Sequence, residues 1–253
     1  MNMLDRHVNL ILLNEHDRIA ADRFALSDAR ATHLLDVLRV APGRTIRVGV
    51  LDGPCGTGIV ETVGDGRVTM RVAFEASTPE RPRIDMMIAL PRPKVMHRLW
   101  APLAALGVGQ IIVTNASRVE RDAWATHYLD ESLVRPLLIE GLQQARDTRL
   151  PLVSMHKQFK ILVEDTLDAL FPTGLRLVAD PSGTTSLPHA IEANRPERVL
   201  LAVGPEGGWN GFELELLEAH GFTRVGLGPR TLRVDTACTA LLAIAHAAMD
   251  VVI

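Results

Sequence analysis

The apolar positions along the chain fall into two patterns, and the change between them divides it. From the start to about residue 75 they read mainly as strands. Val8–Leu13 is a short apolar run, and Ser27 stands where it would cap a helix through about Val40, with Leu34, Leu35 and Leu38 on one face. Pro42-Gly43 breaks that helix. Ile46, Val48 and Val50 alternate, Asp52-Gly53-Pro54 turns the chain, and Ile59–Val63 follows as a further strand. Gly64-Asp65-Gly66 is a hairpin turn, after which Val68, Met70, Val72 and Phe74 alternate. The polar stretch Ser77-Thr78-Pro79-Glu80-Arg81-Pro82, with two prolines, reads as a linker.

Beyond it, apolar strands alternate with helical periods. Ile84–Leu90, Ile111–Val113, Leu175–Ala179, Val199–Val203 and Val225–Leu227 are strand-like. Helical periods cover Val95–Leu106 (ended by Gly107), Glu131 to about Ala145, Phe159–Phe171, Glu213–His220, and Asp235 to the end. This alternation predicts an α/β fold with a mostly parallel sheet covered on both faces. The division expected is a small β-rich domain over 1–76, a linker over 77–82 and an α/β domain over 83–253.

Composition narrows the classes. The chain has 253 residues, 47% hydrophobic and 23% charged, which excludes a disordered or fibrous chain and suffices for a core without staples. Cys55 and Cys238 are far apart with no CxxC, which speaks against a zinc ribbon or disulfide framework and fits a reducing cytoplasm. The opening segment does not read as a secretory signal, and the apolar stretch Ala237–Ile253 holds His246 and Asp250, so a buried or interface helix is expected rather than a membrane span. His33, His97, His127 and His156 match no ligand spacing, so no metal is expected. Net charge is −3, yet Arg81, Arg83, Arg92, Lys94 and Arg98 face only Asp85 within 81–98. Those five are the candidate RNA-phosphate contacts.

In open parallel sheets ligands bind beyond the carboxyl ends of the strands. Three such ends carry Gly and Pro: Val178-Ala179-Asp180-Pro181-Ser182-Gly183, Val203-Gly204-Pro205-Glu206-Gly207-Gly208, and Leu227-Gly228-Pro229-Arg230-Thr231-Leu232-Arg233. Glycine admits close backbone approach, and proline stiffens a loop. None of the three is a GxGxxG or GxxxxGK[ST] motif, so neither a Rossmann site nor a P-loop is supported.

Taken together, VGPEGGWNGFELELLEAHGF (203–222) and VGLGPRTLRVDTACTALL (225–242) resemble the C-terminal signature of the SPOUT methyltransferases, and more narrowly of the RsmE family, which makes 3-methyluridine in small-subunit (16S) ribosomal RNA. HLLDVLRVAPG (33–43), LGVGQIIVTNASRVER (106–121) and GLQQARDTRLP (141–151) extend the resemblance over nearly the whole chain. The resemblance implies an N-terminal PUA-like β-barrel that binds RNA, a C-terminal SPOUT domain with a deep trefoil knot, and a homodimer. It also implies S-adenosylmethionine (SAM) held by the three loops, with Val178, Ala179, Gly204, Pro205, Glu206, Gly207, Gly208, Leu227, Gly228, Leu232 and Arg233 as its contacts. The partner implied is 16S rRNA or the assembled small subunit. The chain departs from the family pattern at Pro102, Ala105 and Asp235, and IVTNASRV replaces the usual IPL.SERS while keeping Arg118.

Chemistry assigns the roles. The uracil N3–H is weakly acidic, so a base must take its proton or a cation must hold the charge spreading onto O2 and O4. Arg233, Arg230 and Arg118 are candidates for the cation, with Arg118 also a candidate RNA contact, and Glu206 or Asp235 for the base. Asp235 is equally placed to cap the last helix, and Glu206 to bind loop amides. Two other readings remain open: a SPOUT enzyme acting on another RNA base, and a non-catalytic RNA-binding or ribosome-assembly factor.

Overall fold

The computed structural model describes residues 10–249; Val8 and Val252, which the sequence reading places in a strand and in the last helix, lie outside the described residues. The chain divides into two compact units, Met1–Arg81 with Ile139–Leu150 and Pro82–Leu138 with Pro151–Ile253.

The first unit is built on β1 (Ile11–Leu13), β2 (Arg18–Ala20), β3 (Arg23–Leu26), α1 (Ala29–Thr32), β4 (Thr45–Val50), β5 (Cys55–Gly64) and β6 (Arg67–Phe74). Its sheet runs β1-β4-β5-β6-β3-β2, antiparallel except where β1 pairs with β4. The alternation in the sequence sends Ile46, Val48, Val68, Met70 and Val72 inward, onto Leu13, Phe24, Leu26 and Leu34. Asp65 (φ 50°) and Gly66 (φ 69°) both take the left-handed conformation that a two-residue hairpin requires. Asp28, not Ser27, caps α1, its carboxylate accepting the Arg30 amide at 2.9 Å. The helix passes into one π turn over His33–Val37 and stops well before Val40.

Residues 139–150 join this unit although they follow the linker in sequence. Hydrogen bonds hold them there: the Leu10 amide donates to Gln143 O (3.1 Å), the Asp52 amide to Thr148 O (2.8 Å), and Thr148 Oγ1 to Gly53 O (2.6 Å). Arg149 Nε donates to Pro79 O at 2.6 Å, and Arg81 Nη1 to Leu150 O at 2.7 Å. No hydrophobic period signals these bonds.

The second unit holds β7 (Ile84–Ala89), α2 (Pro93–Ala105), β8 (Gln110–Thr114), the first part of α3 (Glu131–Ala145) and β9 (Leu152–His156). It continues through α4 (Phe159–Ile161), a π turn, α5 (Leu167–Leu170), β10 (Leu175–Ala179), β11 (Thr185–Ser186), α6 (Leu187–Asn194), β12 (Val199–Val203), α7 (Gly211–Ala219), β13 (Phe222–Gly226) and α8 (Val234–Ala248). The seven strands form one sheet in the order β11-β13-β10-β12-β7-β8-β9, with every pairing parallel. The continuous apolar runs β7, β8 and β12 are buried along their whole length, as strands covered on both faces must be. One face packs Met87, Ile112, Leu200 and Ala202 under Phe159, Leu162, Val163 and Leu217.

Much of the apolar surface of α8 is covered by its own chain. Leu241, Leu242 and Ala245 are fully buried within this chain, while Ile244, Ala248 and Met249 are half-buried. Among the described residues no helix is long and apolar enough to cross a membrane.

Candidate functional site

The sheet order puts the ends of β13, β10 and β12 side by side. The loops that leave them enclose one cavity of about 430 Å³. Of the residues expected to contact a cofactor, Ala179, Gly204, Pro205, Glu206, Gly207, Gly208, Leu227, Gly228 and Leu232 all line it. Val178 does not, because its side chain points into the core and is fully buried. Arg233 is not in the lining either. Asp180, Pro181, Ser182, Trp209 and Thr231 line the cavity and were not singled out from the sequence. Asp180, Pro181, Ser182 and Thr231 stand out in sequence only as parts of strand-end loops, and a buried Trp209 reads as ordinary core.

Backbone geometry explains the glycines. A Cβ on Gly204 would stand 3.1 Å from Trp209 N and 3.2 Å from Gly208 C, both backbone atoms that cannot give way. Gly208 (φ +70°) and Gly228 (φ +97°) occupy the left-handed region, with nothing within 4 Å of where a side chain would begin. A Cβ on Gly207 would meet the stem of Arg118 at 3.0 and 3.1 Å. At the far side of the cavity a Cβ on Gly183 would fall 2.5 Å from Val225 C, so the β10–β11 loop lies directly against the end of β13.

The charged candidates separate. Arg118 lines the cavity, but its guanidinium is engaged: Nη1 donates to Gly207 O at 2.5 Å and Trp209 O at 3.3 Å. Arg230 lines the cavity and is exposed, and no hydrogen bond or ion pair to it is found among the described residues. Arg233 is 71% exposed and pairs with Asp235 at 3.4 Å. Asp235 does not cap α8: the N-cap position belongs to Arg233, and Asp235 sits in the first turn, where it also takes Arg98 at 3.3 Å. Burial works to raise the Asp235 carboxyl, but the Thr236 amide, Arg98 and Arg233 together bring it below the usual carboxylate range. Glu206 accepts the Arg92 amide at 3.1 Å, so the loop-amide alternative describes it.

The basic segment is partly neutralised by partners distant in sequence. Arg81 meets Asp52 at 3.3 Å, Arg92 meets Glu120 at 2.8 Å, and Arg98 meets Asp235. Asp85 does not offset them, since it is fully buried and paired with Arg198. Arg83 and Lys94 are exposed, with no ion pair found among the described residues.

The histidines lie apart: His33 is exposed on the π turn after α1. His97 and His127 contact the Tyr128 ring at 4.8 and 4.2 Å, and burial holds the His156 imidazole below its ordinary value. Among the described residues no three His, Cys, Asp or Glu side chains gather as a metal site. Both cysteines are free and buried.

Comparison with known proteins gives the family. A family model described as the RNA methyltransferase domain matches residues 79–246. The ribosomal RNA small subunit methyltransferase E of Treponema pallidum is 30% identical, over 94% of this chain and 92% of its own. The protein of the same name from Mycobacterium bovis is 28% identical, over 83% of this chain and 80% of its own. The crystal structure of a ribosomal RNA small subunit methyltransferase E from Neisseria gonorrhoeae, bound to S-adenosyl methionine, shares the fold at a TM-score of 0.78. It is 21% identical, with 95% of this chain and 98% of that one covered. By the family match and the Treponema relative, this chain belongs to the RNA methyltransferase family.

Proposed function

We propose that this protein transfers a methyl group from SAM to N3 of one uridine in small-subunit (16S) ribosomal RNA, as a cytoplasmic homodimer. The observation that carries the reading is the cavity built by three loops at adjacent parallel strand ends, with Gly204, Gly207, Gly208 and Gly228 in its lining. The residues fit the donor. The volume of about 430 Å³ lies in the range of cofactor pockets. No heavy atom lies within 4 Å of where a Cβ on Gly208 or Gly228 would stand, so the backbone of both loops is open to a ligand. The loops 179–182, 204–209 and 227–232 would hold the donor through their backbone groups. When bound, SAM supplies an electrophilic methyl on a sulfonium.

The chain's own residues do the rest. Arg230, unpaired among the described residues and in the cavity lining, is the best-placed cation for a uracil carbonyl, where it would stabilise the N3 anion. Glu206 is in the same lining; one of its oxygens holds the Arg92 amide, and the other would take the N3 proton. Arg233 is the second choice for the cation, since Asp235 already holds it. Arg83 and Lys94 are the phosphate contacts among the five candidates that no carboxylate engages.

The finer architecture belongs to the same reading. β13 lies between β11 and β10, so the short β10–β11 connection straddles it. The Asp180 amide donates to Val225 O at 3.0 Å, and Gly183 and Gly226 touch backbone to backbone. A connection that spans β13 in this way supports a trefoil knot. The six-stranded, mostly antiparallel sheet of the first unit supports a PUA-like barrel. Ile244, Ala248 and Met249 supply the half-buried apolar surface for a two-fold partner.

The test is calorimetric titration with SAM, together with mass mapping of 16S rRNA from a deletion strain. Binding, with loss of one 3-methyluridine that the gene restores, is expected. A folded protein that does not bind SAM would point to the non-catalytic reading, and loss of a different modification to the other-base reading.

A further inference from the structure

We infer that Glu213 and Arg118 form a two-sided clasp that fixes the shape of the 204–209 loop, making both positioning residues for the methyl donor; this rests on the reading that the loop holds SAM. Glu213 is only 3% exposed, and no cation among the described residues pairs with it. A buried carboxylate without a cation needs hydrogen bonds to every lone pair it turns inward. Glu213 finds them in two directions. One oxygen accepts the Asn210 amide at 2.8 Å, completing a capping box in which Asn210 Oδ1 accepts the Glu213 amide, also at 2.8 Å. The other oxygen accepts the Ser117 amide at 2.6 Å, on the loop that leaves β8.

The next residue along that loop returns the contact. Arg118 sends Nη1 to the carbonyls of Gly207 and Trp209. Consecutive residues 117 and 118 therefore donate three hydrogen bonds to the 207–213 segment, one into a buried carboxylate and two onto loop carbonyls. A helix cap explains Asn210 and Glu213 but neither Ser117 nor Arg118.

The clasp answers a physical need. Gly207 and Gly208 lie in the middle of the loop, and glycine loses the most conformational freedom on ordering. An unbraced loop would charge that entropy to ligand binding, whereas a braced one has met it on folding. The position of the Gly207 Cβ, at 3.0 Å from Arg118 Cδ, shows the same coupling: the absent side chain makes room for the arginine stem.

The test uses full-length Glu213→Gln, Arg118→Ala, Arg118→Lys and the Glu213→Gln/Arg118→Ala double variant. All are assayed at a temperature where circular dichroism shows them folded. A carboxamide offers one acceptor and turns its NH2 toward the other amide, so the brace is half lost. SAM dissociation constants by calorimetry should rise about tenfold for Glu213→Gln and for Arg118→Ala. Relative to wild type, the double variant should lose less affinity than the product of the two single effects. The KM for SAM should rise in step while kcat at saturating SAM changes far less, and Arg118→Lys should recover part of the affinity. The Gly208 amide, which donates to Pro205 O at 2.8 Å, should exchange its hydrogen faster in the unliganded variants. Folded variants with unchanged SAM affinity and unchanged Gly208 exchange would overturn the clasp. A wild-type protein that fails to bind SAM would instead overturn the reading of the site, and the exchange measurement alone would then decide the clasp.

Discussion

Replacing Gly228 by alanine separates the backbone role of a glycine from its role at a ligand surface. The residue holds φ +97°, and no heavy atom lies within 4 Å of the position a Cβ would take. The new methyl therefore clashes with nothing in the protein, and the cost to folding is the left-handed conformation alone, about 1–2 kcal/mol. For a chain of this size that lowers Tm by about 2–8 °C. Gly228 also lines the cavity, so a ligand seated against the loop must accommodate the methyl. Overpacking of this kind costs about 1–3 kcal/mol, or roughly 5- to 150-fold in Kd. Gly221→Ala is the matched control. Gly221 has φ +82°, again with nothing within 4 Å. It lies in the same unit but at the opposite end of β13, whose five residues span about 16 Å at ~3.3 Å per residue. Both variants should lose similar Tm by scanning calorimetry, and only Gly228→Ala should lose SAM affinity by titration well below either Tm. Equal SAM affinity in the two would refute the placement of the donor at the third loop.

Three further outcomes are expected. Arg230→Ala should slow single-turnover methylation about 100-fold or more with SAM affinity within about tenfold, and the rate should partly recover as pH rises; a larger loss in Arg233→Ala would move the role to the arginine that Asp235 holds. Lys94→Glu and Arg83→Glu should weaken rRNA binding and flatten its salt dependence by roughly one counterion each, measured by filter binding, while SAM binding stays constant; an unchanged salt slope would remove these residues from the interface. Burial pushes the Cys238 thiol up to about 12, well above the usual thiol range. The unfolded chain thus ionises first, and this stability is present below pH ~9 and lost as pH rises toward ~12. Denaturant midpoints of Cys238→Ala should accordingly fall less steeply over that window, and parallel curves would argue against the shift.

Much of the second unit was legible because its signals are local. β12 is a continuous apolar run, β10 is apolar but for Arg176, α3 has a clean helical period, and both strands end in loops of Gly and Pro whose backbone freedom is itself a sequence property. The strands β2, β3, β9 and β11 were not read, being two to five residues long with mixed polarity. Such strands form because a neighbour offers hydrogen bonds, as β8 does for β9.

Sequence alone thus determined the β-rich and α/β halves, the three loops and the cavity's glycines, because periodicity and φ preference act within a few residues. Tertiary structure alone decided which charges are free. Arg92 meets Glu120, Arg98 meets Asp235, and Asp85 meets Arg198, each across a gap in sequence that no spacing rule spans. It also decided that 139–150 cluster with the first unit and that Glu213 reaches Ser117. The strength of an ion pair or a buried hydrogen bond depends on distance and desolvation, and both are set only when distant segments meet.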